Sequence, residues 1–175
     1  TASRIKEVAL THFAKNGYEG ASLADIASEV GIKKQSIYTH FKGKDELFLA
    51  LFDEVMAKEL SFVLAYLENS KDHSIDKRLY DFLIQYKERY EQDDNTKFFL
   101  RVAFFPPSHL YDVIVEQGYS YLDTLETMMI PLFDQAIQKG SISPDVSSEK
   151  AAVAFSAVMD GVFVELLFGG SVRSL

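Results

Sequence analysis

Apolar positions recur at helical spacing along almost the whole chain. Ile5, Val8, Ala9 and Phe13 share one face, and Asn16-Gly17 ends that run with a residue that tolerates positive φ. Ser22 to Asp25 is an S-x-x-D start signal for a second helix, whose buried face is Ile26, Ala27 and Val30, and Gly31 ends it. Ile32, Ile37 and Phe41 anchor a short third helix. A fourth runs from Lys44 to about Glu68, with Asp45 and Glu46 in its first turn, where the helix dipole favours acids.

The pattern continues with a fifth helix on Leu79, Phe82, Leu83, Tyr86 and Tyr90, broken at Asp93-Asp94-Asn95. A short sixth spans about Lys97 to Phe105 and stops at Pro106-Pro107. Helical spacing then runs from about His109 to Lys139, with Gly118 and Pro131 as candidate interruptions or kinks. A last helix spans about Ser148 to Phe168 and is closed by Gly169-Gly170. No strand pattern, repeat or low-complexity segment is visible. The expected fold class is all-α.

Residues 23–47 carry the chemistry. LADIASEV, a glycine, then IKKQSIYTHFKGKDEL has the layout of a helix-turn-helix: two short helices, a tight turn, and a second helix exposed to a DNA major groove. Lys33, Lys34, Gln35, Ser36 and Thr39 are candidates to read bases. Gln pairs bidentately with adenine, Lys donates to guanine, and Thr meets a thymine methyl. Tyr38, His40 and Lys44 offer donors to phosphate oxygens, and Lys44 stands at a helix N-terminus, itself an anion site. Ser22 completes the DNA-contact set. The bland alternative is a solvated polar face on a short helix; for His40 it is packing within the small domain.

The net charge of −8 argues by itself against nucleic acid, but its distribution reverses that reading. Residues 1–44 hold seven Lys/Arg against four acids; the remainder holds eleven against twenty-two. Screening over about 10 Å makes phosphate binding a local matter. The chain has no cysteine, which removes thiol catalysis and disulfides. Its four histidines are scattered without metal-ligand spacing, and it has no G-x-S-x-G, Walker loop or G-x-G-x-x-G. Neither metal, cofactor nor enzymatic activity is expected. No apolar run reaches the roughly 18 residues of a membrane span, so the expected location is cytoplasmic.

The N-terminal segment resembles the TetR family of bacterial transcriptional regulators. Ile5, Ala9, Phe13 and Gly17-Tyr18 match its first helix and exit. Ser22, Ile26, Ala27 and Val30-Gly31 match its second helix and turn. Ile37-Tyr38, His40-Phe41, Lys44 and Glu46-Leu47 match its recognition helix and the entry to its fourth. Lys33 replaces the usual Ser or Thr cap, Gln35 a small residue, and Gly43 a frequent Ser or Asn, which bears on the operator sequence rather than the fold. Beyond residue 47 the likeness is one of layout. The resemblance implies a three-helix DNA-binding domain at 1–46 and a larger helical effector-binding and dimerisation domain at 47–175. Its partners would be double-stranded operator DNA, a small-molecule effector and a second copy of the chain.

Aromatic and flexible side chains are candidates to line an effector pocket: Phe62, Tyr66, Tyr86, Tyr90, Phe98, Phe99, Val102, Tyr121, Met128 and Phe155, with Arg101 or His109 as a polar anchor. The alternative for each is plain core. For assembly, the expected faces are Ala151, Ala154, Phe155, Val158, Val162 and Leu166 on the last helix, with Leu125, Met129, Leu132 and Phe133 on its neighbour. The functional reading is a repressor released from a palindromic operator by a hydrophobic or aromatic effector. The alternative is a helical ligand-sequestering or interaction protein without operator binding.

Overall fold

A computed structural model describes residues 1–169. Among them the elements are α1 (Ala2–Gly20), α2 (Leu23–Val30), α3 (Lys34–Ile37), α4 (Lys44–Asn69), α5 (Ile75–Gln92), α6 (Asp94–Phe104), a 3-10 turn (Ser108–Leu110), α7 (Tyr111–Gln138) and α8 (Ser148–Leu167). No described residue lies in a strand, so the all-α expectation holds.

Local signals account for most helix ends. α1 breaks at Gly17, whose φ of 70° suits glycine, and one further turn follows. Ser22 caps α2 by accepting from the Asp25 N–H at 3.1 Å, and Gly31 closes it in the left-handed conformation at φ 80°. Ser147 caps α8 in the same way, through the Lys150 N–H. Two boundaries differ from expectation. Asp93 alone breaks the chain after α5, because its carboxylate accepts from the Asn95 N–H and starts α6 three residues early. α7 runs unbroken through Gly118 and Pro131. Gly169 has a positive φ of 103° beyond the end of α8, and Gly170 lies outside the described residues.

The chain packs as two units. The first comprises residues 1–58 and 92–117; the second comprises 59–91 and 118 onward. This division by packing does not follow the boundary at 46/47 expected from the resemblance. In the first unit, Phe13, Phe48 and Phe98 form an aromatic centre. Phe13 and Phe48 meet edge to face at 4.9 Å, and Phe48 meets Phe98 at 5.2 Å. All three are buried, each worth about 1.5–3 kcal/mol of hydrophobic stabilisation. Ile5, Ile26, Ile37 and Leu47, fully buried, extend this core through the first four helices.

α6 joins the first unit by packing on α1. Thr11 donates to the Asp94 carboxylate at 3.1 Å, and Arg101 Nη1 donates to the carbonyls of Ala14 and Lys15. In the second unit, Phe82 is surrounded by Phe62, Tyr66, Tyr86 and Phe155 at centroid distances of 5.9, 5.0, 5.1 and 6.1 Å. Arg78, only 6% exposed, donates to the Ser70 hydroxyl and the Leu67 carbonyl, closing the C-terminal end of α4. Glu59 is fully buried and held by Arg89 at 2.7 Å, whose guanidinium lies over the Phe62 ring.

Candidate nucleic-acid interface

The segment after Gly31 presents its polar side chains outward because two apolar ones hold it down. Ile37 is fully buried and Phe41 8% exposed, while Lys33, Lys34, Gln35, Tyr38, Thr39 and His40 are exposed. Four residues of α-helix are followed by turns: Tyr38 N–H donates to the Gln35 carbonyl, and the His40 and Phe41 N–H groups both donate to the Ile37 carbonyl. Lys33 heads the helix without a side-chain cap; its carbonyl accepts from the Ser36 N–H at 2.8 Å.

Hydrogen-bonding capacity on this face is mostly uncommitted. Among the described residues, Lys33, Lys34 and Lys42 enter no ion pair. The Thr39 hydroxyl is used locally, donating to the Ser36 carbonyl at 2.7 Å, which leaves its methyl as the group without a polar demand. Tyr38 is half exposed. Ser22 is part-buried and used twice within its own turn, as acceptor from the Asp25 N–H and as donor to the Asp25 carboxylate at 2.6 Å. The cluster is therefore cationic, exposed and rich in free donors, the chemistry that phosphates and base edges need.

Lys44 is held differently. Its ammonium lies over the Tyr18 ring, 4.1 Å from the centroid. The Tyr18 hydroxyl donates to the Asp45 carboxylate, which also receives His109 Nε2 at 3.0 Å. Burial and this bond to Asp45 push the Tyr18 hydroxyl well above the usual phenol range. Tyr18 and His109 hold the Asp45 carboxyl below its ordinary value. Glu46 reaches back to the Lys42 N–H and closes the start of α4. The pairing of Tyr18 with Asp45 escapes a reading of the sequence, because no local spacing joins residues 27 positions apart.

The effector candidates fall in both units. Phe98, Phe99, Arg101, Val102 and His109 belong to the first, where Phe98 and Val102 are core and Arg101 serves the end of α1. Phe62, Tyr66, Tyr86, Tyr90, Tyr121, Met128 and Phe155 belong to the second. Phe62 and Tyr66 line a groove of about 250 Å³ there, with Ala65, Asn69, Ser70, His73, Asp81 and Gln85. Tyr86, Tyr121 and Phe155 are buried, and burial raises the hydroxyls of both tyrosines far above their ordinary range.

The assembly faces are corrected by burial. Phe155, Val162, Leu166, Leu125, Met129, Leu132 and Phe133 are each less than 9% exposed within one chain. What α8 leaves outward is a different set: Val153, Ala154, Ala157, Val158, Gly161 and Val164, with Phe168 exposed just past its end. Two of the expected interface residues, Ala154 and Val158, belong to it.

Residues 5–51 match the family model described as "Bacterial regulatory proteins, tetR family". The chain is 34% identical over 94 residues to the Staphylococcus aureus (strain Newman) "Biofilm operon icaADBC HTH-type negative transcriptional regulator IcaR". That match covers 50% of this chain and 48% of that protein, so the chain spans about half the length of the curated relatives it matches. In fold it is similar to a TetR-family transcriptional regulator from Agrobacterium tumefaciens, with a TM-score of 0.76 at 18% identity over 99% of this chain and 90% of that one. It is also similar to the regulator FadR from Bacillus subtilis in complex with stearoyl-CoA, with a TM-score of 0.67 at 22% identity over 96% and 88%. The helix-turn-helix of residues 5–51 matches the tetR-family model, and the chain shares the fold of TetR-family regulators.

Proposed function

We propose that this chain is a homodimeric, ligand-responsive transcriptional repressor. Residues 1–46 form its DNA-reading domain, and 47–175 its effector-binding and dimerisation domain. The observation that carries the reading is the exposed polar face around α3. Lys34, Gln35, Tyr38 and Thr39 point away from a helix pinned by Ile37 and Phe41, on a segment with a local surplus of positive charge. A helix of this kind reads base edges while flanking donors hold the phosphates. The negative regulator IcaR, similar over half of this chain, supports repression as the sign.

The effector is a hydrophobic or aromatic small molecule bound by the second unit, where Phe62, Tyr66, Tyr86 and Phe155 gather around Phe82. An effector that prefers a state unable to read DNA shifts the population away from the operator. A change of about 5–150-fold in operator affinity needs about 1–3 kcal/mol of coupling. The test is selection of bound duplexes from a random DNA pool, followed by a thermal-shift screen of apolar metabolites on the same protein. The expected result is a pseudo-palindromic consensus, and a compound that both raises the melting temperature and releases that duplex. Failure to enrich any duplex would overturn the operator reading.

A further inference from the structure

We propose that His109 is a positioning residue for the phosphate contact of Lys44, acting through Asp45 and Tyr18. This rests on the reading of Lys44 as a phosphate ligand. Three separate parts of the chain converge around Tyr18, the ring on which that ammonium rests. Tyr18 comes from the turn after the break in α1, Lys44 and Asp45 from the first turn of α4, and His109 from the 3-10 turn before α7. The Tyr18 ring is fixed on several sides. Its face carries the Lys44 ammonium at 4.1 Å, its hydroxyl donates to Asp45, and the rings of Phe48 and His109 meet it at 5.1 and 5.0 Å. His109 Nε2, at 3.0 Å, donates to the same Asp45 oxygen that Tyr18 uses.

The arrangement has two consequences for binding an anion. Lysine is a flexible four-carbon chain, and fixing its ammonium beforehand lowers the conformational freedom lost on contact. Asp45, beside it, carries a negative charge that opposes an incoming phosphate; two donors on one carboxylate oxygen draw that charge away from the face Lys44 presents. The cluster does little for the fold. The side chains of His109 and Asp45 are 45% and 51% exposed, and an ion pair at such a surface adds little to stability. Its geometry makes sense by what it holds in place.

The experiment measures binding to a duplex selected from a random pool by the unaltered chain. His109→Leu should weaken binding about three- to tenfold, the change that ordering one long side chain carries, with an unchanged melting temperature. His109→Gln keeps a donor near the Nε2 position and should restore affinity to within about twofold. In a Lys44→Ala background, His109→Leu should have no further effect. Unchanged or tighter binding by His109→Leu overturns the proposal, as does an equal loss in the Lys44→Ala background. If Lys44→Ala alone leaves binding intact, the phosphate reading of Lys44 fails and takes the role of His109 with it. That result is distinct from a failure of His109 alone.

Discussion

Arg101 lies against Gly17: a Cβ placed on that glycine would stand 3.5 Å from Arg101 Nε. From the same position Arg101 Nη1 donates to the carbonyls of Ala14 at 3.1 Å and Lys15 at 3.2 Å. The break at Gly17 robs those carbonyls of helical partners, and a side chain from α6 supplies the donors. Arg101→Ala should therefore destabilise the protein by about 1–2 kcal/mol, read as a lower urea midpoint. Gly17→Ala should cost about 1–2 kcal/mol for a different reason. The space for a methyl is ordinary, but φ of 70° is strained for any side chain. Unchanged midpoints in both variants would remove this joint between α1 and α6 from the account of stability.

Base reading and phosphate contact separate by their salt dependence. Tyr38→Ala should weaken binding to every duplex alike and flatten the slope of log affinity against log salt. Gln35→Ala should relax preference at one base position, at a cost of about 1–3 kcal/mol there, and leave the slope nearly unchanged. Equal weakening on every sequence by Gln35→Ala would assign that residue to positioning instead.

The outward stripe on α8 is the expected seam of the proposed dimer. Val158 is 52% exposed in one chain and Val162 8%. Val158→Glu should yield a folded monomer by light scattering that no longer holds the selected duplex. Val162→Glu buries a carboxylate against the packed side of the same helix and should lower the melting temperature sharply. A dimeric Val158→Glu variant would place the interface on another surface.

Asp160 gives the fold a pH signature. Partial desolvation of this surface side chain, and then the charge of Glu126, raise its carboxyl above the ordinary carboxylate value. The folded chain therefore holds this proton more tightly than the unfolded chain. The stabilising contribution is full below the unfolded value of 3.8 and is lost as pH rises through the raised folded value. Asp160→Asn should raise the melting temperature at pH 7 and leave it nearly unchanged at pH 3.5. A larger gain in acid than at neutrality would contradict the assignment.

Much of the fold and of the candidate DNA-reading face is legible locally, because caps and periodicity act over a few residues. Ser22 and Gly31 bound α2, Ile37 and Phe41 set which side of α3 is buried, and the remaining polar residues are then exposed by elimination. The start of α6 was missed because Asp93 reads equally as a breaker and as a cap, and only the hydrogen bond it makes decides. Pro131 reads as an interruption, yet α7 continues through it.

Relationships between distant residues came from the tertiary structure alone. Arg101 meets carbonyls 86 and 87 positions away, and His109 meets an acid 64 away, so no window along the chain contains either pair. Aromatic content marked effector candidates but could not sort them between two packing units, since Phe98 and Phe155 look alike until their neighbours are known. α8 shows the limit most directly. A helix this rich in apolar residues, with Ser156, Asp160 and Glu165 as its only polar residues past the first turn, carries only a weak phase in its pattern, so its sequence determined that it is a helix. Only packing against the rest of the second unit decided that Phe155, Val162 and Leu166 turn inward while Ala154, Val158 and Val164 remain outside.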